Sequence, residues 1–279
     1  MPDIAFINGR FLPWEEATVS IDDRGFQFGD AVYEVIRTYR GGPFELTAHL
    51  ARLNRSASEL SLRQPYTKDQ WTSWIQQGLS LAGYQDAKIY IQVTRGVAPR
   101  EHSFPSDRLP TVVMTIREFH PLAPEVRRAG VSACTREDIR WGRCDIKSVN
   151  LLANVLAREE AKKAGVFETL LVRDGFIMEG ALSNVMAIQD GVIMTAPDST
   201  RILSGVTRTV VLELAKKDDI VIEERFIPID FLYRADEVFL TGTTLEVLGV
   251  VQIDGKTIGA GQPGPITKML AARWALLTG

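Results

Sequence analysis

Cysteine is nearly absent from this chain of 279 residues: there are two, Cys134 and Cys144, beside three histidines. Two cysteines build no disulfide framework, and with so few histidines they form no zinc-ligand spacing. A reducing cytosol, and so a cytoplasmic location, is the default expectation. Long apolar runs are also missing, none approaching the roughly 20 residues of a membrane span. The opening MPDIAFINGR has no basic stretch followed by an apolar one, so no signal peptide is read there. Neither sign of charge dominates: 32 Lys and Arg stand against 35 Asp and Glu, a formal net charge of -3. With no basic stripe and no like-charge run, nucleic acid and anionic membranes are disfavoured as partners. No internal repeat or low-complexity tract is visible. What remains is ordinary for a globular protein, 45% hydrophobic and 24% charged, with length for one large domain or two smaller ones.

Turn chemistry organises the chain. Asn8-Gly9, Asp174-Gly175 and Asp190-Gly191 each separate extended apolar pieces, as hairpin turns do. AVYEVIRTY over 31–39 alternates like a strand, with Tyr33 on the face opposite Val32 and Glu34. A helix capped at Thr47 would turn Leu50, Leu53, Ala57 and Leu60 inward, and Thr67 with Gln70 forms a capping box for another that closes at Gly83. Residues 119–131 carry two prolines and no sustained period, which predicts a linker. The expectation is an α+β fold: a small N-terminal α/β domain over 1–118, and a larger β-rich domain over 132–279 that carries Lys147. Hairpins mixed with scattered helices argue against a doubly wound parallel sheet.

The stretch RCDIKSVNLLANVLAREEAKKAG, residues 143–165, poses the functional question. Leu151, Leu152, Val155 and Leu156 recur at helical spacing, which predicts a helix from Ser148 with these residues on one face. Ser148 is a natural N-cap and Gly165 a natural C-terminal stop. Lys147 would then stand at the positive end of a helix dipole, where an ammonium is disfavoured and a nucleophilic amine is freed; a solvated lysine is the plainer reading. Glu179 lies between apolar extended pieces and, if buried, needs a cationic partner. Gly205, Val206 and Thr207 open a helix, whose free N–H groups attract an anion. Gly242, Thr243 and Thr244 form a Gly/Thr loop after a strand. Arg52 could add a guanidinium to an anion site, and Arg100 and His102, alternate residues of one loop, could grip a carboxylate. Each signal alone also fits an ordinary cap, surface arginine or loop. Trp71 and Trp74 read as core, and the cysteines as bystanders.

In order along the chain, GDAVYEVIR, HLARL, RGVAPREHSFP, CDIKSVNLLANVLA, EGALSNV, GVTR and TGTTLEV resemble the fold-type IV pyridoxal-phosphate enzymes, the group of branched-chain and D-amino acid aminotransferases. VYEVIR and the R-x-H of PREHSFP resemble the D-amino acid branch. The resemblance implies a two-domain enzyme with pyridoxal 5'-phosphate (PLP) between the domains and ping-pong transamination between a D-amino acid, such as D-alanine or D-glutamate, and a 2-oxo acid. It implies that Lys147 carries the Schiff base, that Glu179 pairs with the pyridine nitrogen, and that Arg52, Val206, Thr207, Thr243 and Thr244 hold the cofactor's phosphate end. Tyr33, Arg100 and His102 would bind the substrate carboxylate, with the Arg100/His102 loop reaching in from the other subunit of a homodimer. Branched-chain L-aminotransferase, (R)-amine transaminase and aminodeoxychorismate lyase share the same cofactor cradle and remain alternatives. The chain departs from the group's pattern at Ala181 and Leu182, where small hydroxyl residues are frequent.

Overall fold

The computed structural model describes residues 3–107 and 109–279. They divide into two compact units. The first runs to His120 and takes in the distant segment Ile146–Asn150; the second comprises Pro121–Asp145 and Leu151–Gly279.

The first unit contains strands β1 (Ile4–Ile7), β2 (Arg10–Leu12), β3 (Ala31–Tyr39), β4 (Gly42–Pro43), β5 (Ala87–Thr94) and β6 (Val112–Glu118), with helices α1 (Arg24–Phe28), α2 (Leu46–Glu59) and α3 (Lys68–Ala82). The sheet order is β2-β1-β6-β5-β3-β4. Asn8 and Gly9 both adopt positive φ, 47° and 89°, the geometry a two-residue hairpin demands. Alternation along β3 sends Val32 and Ile36 into a core with Leu50 and Leu53 of α2 and Trp71, Ile75 and Leu79 of α3. The capping box of α3 is present, with Thr67 and Gln70 exchanging bonds, and Gly83 closes the helix at φ 70°. The N-cap of α2 is Glu45, not Thr47.

The second unit holds α4 (Pro124–Ala129), β7 (Val131–Glu137), α5 (Leu152–Lys163), β8 (Glu168–Arg173), β9 (Phe176–Gly180), β10 (Asn184–Gln189), β11 (Val192–Thr195), α6 (Val206–Lys217), β12 (Ile222–Glu224), β13 (Ile227–Pro228), α7 (Ile229–Leu232), β14 (Glu237–Gly242), β15 (Glu246–Ile253), β16 (Lys256–Thr257) and α8 (Pro265–Thr278). Its strands run β12-β11-β10-β14-β15-β7-β8-β9-β13, with β16 on β15. The pairs β7–β8, β7–β15 and β11–β12 are parallel and the rest antiparallel, so the class is α+β as expected. Among the described residues no helix is long and apolar enough to cross a membrane.

Three expectations change. The segment with Lys147 belongs to the first unit, not to the larger domain of 132–279. Its backbone is bonded to β3: Tyr33 N–H donates to the Lys147 carbonyl at 3.0 Å and Val149 N–H to the Ala31 carbonyl at 3.1 Å, while Ile146 enters the first core. The stretch 119–131 contains α4 and a strand start, because Pro124 takes the first helical turn, where its missing N–H costs nothing. Finally, α5 starts at Leu152 with Leu151 as N-cap, four residues beyond Lys147, not at Ser148. Its buried residues are Ala157 and Ala161, whereas Leu152, Val155 and Leu156 are exposed.

Candidate active site

Chemistry in the first unit is organised by β3. Alternation that turns Val32 and Ile36 inward also buries Glu34, which is fully covered. A buried carboxylate needs a cation and hydrogen-bond donors, and α2 supplies both one turn apart. Arg52 donates from Nε to Glu34 Oε1 at 2.7 Å and from Nη2 to Oε2 at 2.9 Å, and His49 Nδ1 donates to Oε2 at 2.8 Å. Burial pushes the Glu34 carboxyl up, but Arg52 and then His49 outweigh it and hold the group down at about 2. Burial lowers the pKa of His49. Arg52 is thus a fixed cation, oriented by a bidentate partner.

On the other face of β3, Tyr33 lies under Lys147, whose Nζ is 4.4 Å from the ring centroid. Besides its carbonyl's bond to Tyr33, Lys147 donates its backbone N–H to Ser56 Oγ of α2 at 3.1 Å. The lysine is held by its backbone on two elements that also carry Tyr33 and Arg52. Adjacency to a helix N-terminus, expected from the sequence, does not describe this setting.

Arg100 and His102 lie exposed in the loop between β5 and β6. Both rest against Phe28: the Arg100 guanidinium is 4.6 Å from the ring centroid, and the His102 ring is 5.4 Å away. Among the described residues no carboxylate pairs with either.

In the second unit, β9 carries Glu179 into the interior, 5% exposed. It accepts from Arg140 Nη1, from Asn184 Nδ2 at 3.1 Å and from the Leu203 N–H at 3.1 Å. Burial pushes its pKa up while Arg140 pulls it back. Arg140 is itself gripped by Asp138, at 2.9 Å from both Nε and Nη2.

Asn184 connects Glu179 to the start of α6. Its amide also donates to the Leu203 carbonyl at 2.8 Å, and an added Cβ on Gly205 would collide with Asn184 Oδ1. Gly205 is the N-cap of α6 with no side-chain cap bond, so Val206 and Thr207 present first-turn N–H groups that no capping side chain occupies. Asn184 pairs with Thr241 at the end of β14, and the turn bearing Thr243 and Thr244 follows directly. Asn184 therefore links Glu179 to the start of α6 and, by strand pairing, to the end of β14 that leads into Thr243 and Thr244. Of the departures from the motif, Ala181 is buried and Leu182 is 61% exposed.

Within the second unit, an uncapped helix start and a buried acid linked to it suit a phosphorylated pyridine, and within the first an amine standing over a tyrosine suits an aldehyde. Residues 31–253 match the family model for amino-transferase class IV. The chain belongs to this family. Its similarity to the D-alanine aminotransferase of Bacillus licheniformis is 46% identity over 262 residues, 94% of this chain and 92% of that one. Against the D-alanine aminotransferase of Staphylococcus haemolyticus it is 45% over 265 residues, 95% and 94% of the two chains. Among solved structures, the branched-chain amino acid aminotransferase of Escherichia coli superposes with a TM-score of 0.93 at 28% identity, over 99% of this chain and 94% of that one. The T.th. branched-chain amino acid aminotransferase with pyridoxamine 5'-phosphate gives 0.92 at 30% identity, over 99% and 93%. The resemblance drawn from the motifs is borne out.

Sequence reasoning missed Glu34, His49, Arg140 and Asn184. Glu34 had a signal, as an acidic residue at an inward position of an apolar strand. Arg140 sits in an irregular segment with none.

Proposed function

We propose that this class IV aminotransferase transfers the amino group of a D-amino acid to a 2-oxo acid with pyridoxal 5'-phosphate as cofactor. The observation that carries the reading is the pairing of two things: near-half identity to D-alanine aminotransferases along almost the whole chain, and unpaired Arg100 and His102 side by side on Phe28. The L-branched-chain reading draws on structural neighbours at 28–30% identity and has weaker support.

When bound, the cofactor supplies an aldehyde that condenses with amines and a ring that withdraws electrons from the bond to be broken. Lys147 Nζ is the amine that would hold the cofactor and would serve as the base toward the proton on the substrate Cα. Glu179, paired with Arg140, would hold the ring nitrogen. Arg52, the backbone N–H groups of Val206 and Thr207, and Thr243 and Thr244 would hold the phosphate end. Tyr33, Arg100 and His102 bind the substrate carboxylate and fix which face of Cα turns its hydrogen toward Lys147. The two half-reactions mirror one another, so kinetics are ping-pong.

The working form is a homodimer in which the Arg100/His102 loop enters the partner's site. Support comes from the apolar surface of that region: Ile21 is 77% exposed, Phe26 76%, Phe104 62% and Leu109 74%, more than isolated apolar residues on a monomer account for. A cytoplasmic setting agrees with two buried free cysteines.

The test is a coupled assay of D- and L-amino acids on purified protein, preceded by borohydride reduction and peptide mapping. D-alanine should exceed L-leucine as donor and the label should fall on Lys147. A label on Lys162 or Lys163, or a preference for L-leucine, refutes the reading.

A further inference from the structure

The loop bearing Arg100 and His102 is gripped from one short stretch, Asp23–Asp30, by more contacts than the carboxylate reading alone requires. Asp30 is the hub. Its Oδ2 accepts from Arg24 Nε at 2.9 Å and from Arg95 Nε at 2.8 Å, and its Oδ1 accepts from Arg95 Nη2 at 3.0 Å. Each arginine then reaches the loop. Arg24, 3% exposed, donates from Nη1 to the Glu101 carbonyl at 2.5 Å and points Nη2 at the His102 carbonyl at 3.5 Å. Arg95 stacks its guanidinium on Phe104, 3.7 Å from the ring centroid. Phe28 takes the Arg24 guanidinium at 4.7 Å as well as Arg100 and the His102 ring.

We infer that Asp30 and Phe28 are positioning residues for substrate recognition: through Arg24, Arg95 and the shared aromatic ring they hold Arg100 and His102 ready for a carboxylate. The inference rests on the D-amino acid reading above. Two physical arguments carry it. An exposed arginine loses rotamer freedom when it engages an anion, and stacking on Phe28 removes much of that freedom beforehand. Charge points the same way. Arg24, Arg95 and Arg100 converge on this loop, and Asp30 is the carboxylate bonded to the first two, so the unspent positive charge lies at Arg100, with His102 beside it as a hydrogen-bonding group. A loop stitched only for stability would spend that charge on a carboxylate of its own.

The test uses purified holoenzyme in single-turnover half-reactions, following the cofactor spectrum with D-alanine and with an amine that lacks a carboxylate. Phe28→Leu removes the aromatic face, and the apparent Kd for D-alanine should rise about two- to fivefold, the worth of an exposed cation–π contact. The limiting rate should change little, and the carboxylate-free amine should be unaffected. Asp30→Asn should act in the same direction, and Phe28→Tyr, which keeps the ring, should restore wild-type behaviour. Equal losses for both amines, or folded variants with unchanged Kd, overturn the inference. So does loss of the folded state in both Phe28→Leu and Asp30→Asn, since the residues would then be structural. Wild-type protein that accepts no D-amino acid overturns the functional reading and this inference with it, whereas a D-specific wild type with insensitive variants overturns this inference alone.

Discussion

Arg140→Met separates the charge of Glu179 from its burial. Methionine has similar length and no charge, and Asp138 keeps Arg173 as a partner at 3.0 Å, so Glu179 is the acid that loses its cation. Burial already pushes the Glu179 carboxyl above its ordinary 4.5, and Arg140 is the chief opposing influence. An adjacent arginine typically holds a carboxyl down by about 1–3 units. Its removal should let Glu179 rise further, and breaking a buried pair by removing one partner costs about 3–5 kcal/mol. The sign follows from proton linkage. A carboxyl whose folded pKa lies above its unfolded value contributes stability below the unfolded value and loses it as pH rises through the folded one. The variant's stability deficit, read by denaturant unfolding, should therefore be larger at pH 8 than at pH 5. The acid limb of kcat/KM should move to higher pH in parallel, because Glu179 takes up its proton earlier. A deficit of equal size at both pH values, together with an unmoved acid limb, would refute the claim that Arg140 sets the charge of the acid.

Such residues mark the boundary of what the sequence makes legible. Asn8-Gly9, Asp174-Gly175 and Asp190-Gly191 are readable because a two-residue hairpin needs positive φ at both positions, and these residues tolerate it; all six adopt it. The box at Thr67 is readable because the two bonded residues lie within one turn. Glu179, Val206, Thr207 and Thr243 are recognisable as motif members, but the link from Glu179 to the start of α6 runs through Asn184, whose side chain bonds Glu179 and the Leu203 carbonyl and lies against Gly205. The helix after Lys147 misleads for a different reason. Periodicity shows that Leu152, Val155 and Leu156 share a face, not what that face meets, and they are 72%, 57% and 50% exposed. Nor does any local pattern reveal that 146–150 joins the first unit, since the bonds responsible run to Ala31, Tyr33 and Ser56.

Three further perturbations test separate parts of the site. Lys147→Ala should abolish turnover while pyridoxal phosphate still binds, measured by absorbance titration; residual turnover near wild type would exclude the lysine. Gly205→Ala drives a Cβ into Asn184 Oδ1, and overpacking of this kind costs about 1–3 kcal/mol, so cofactor Kd should rise about tenfold; an unchanged Kd would detach Asn184 from the phosphate-binding helix start. Glu34→Gln leaves Arg52 buried without its counter-charge. Breaking a buried pair costs about 3–5 kcal/mol, and the fall of Glu34 from 4.5 to about 2 corresponds to about 3 kcal/mol. Because the folded pKa is depressed, that stability is complete above 4.5 and is lost as pH falls toward 2. His49, also depressed, adds a loss of the same sign that begins as pH falls below its ordinary 6.5. Wild-type and variant unfolding curves should thus lie far apart at pH 7 and converge as the pH drops below 4.5. A gap that stays constant through this range would mean that Glu34 acts by shape and not by charge, and Arg52 would then need another source for its orientation.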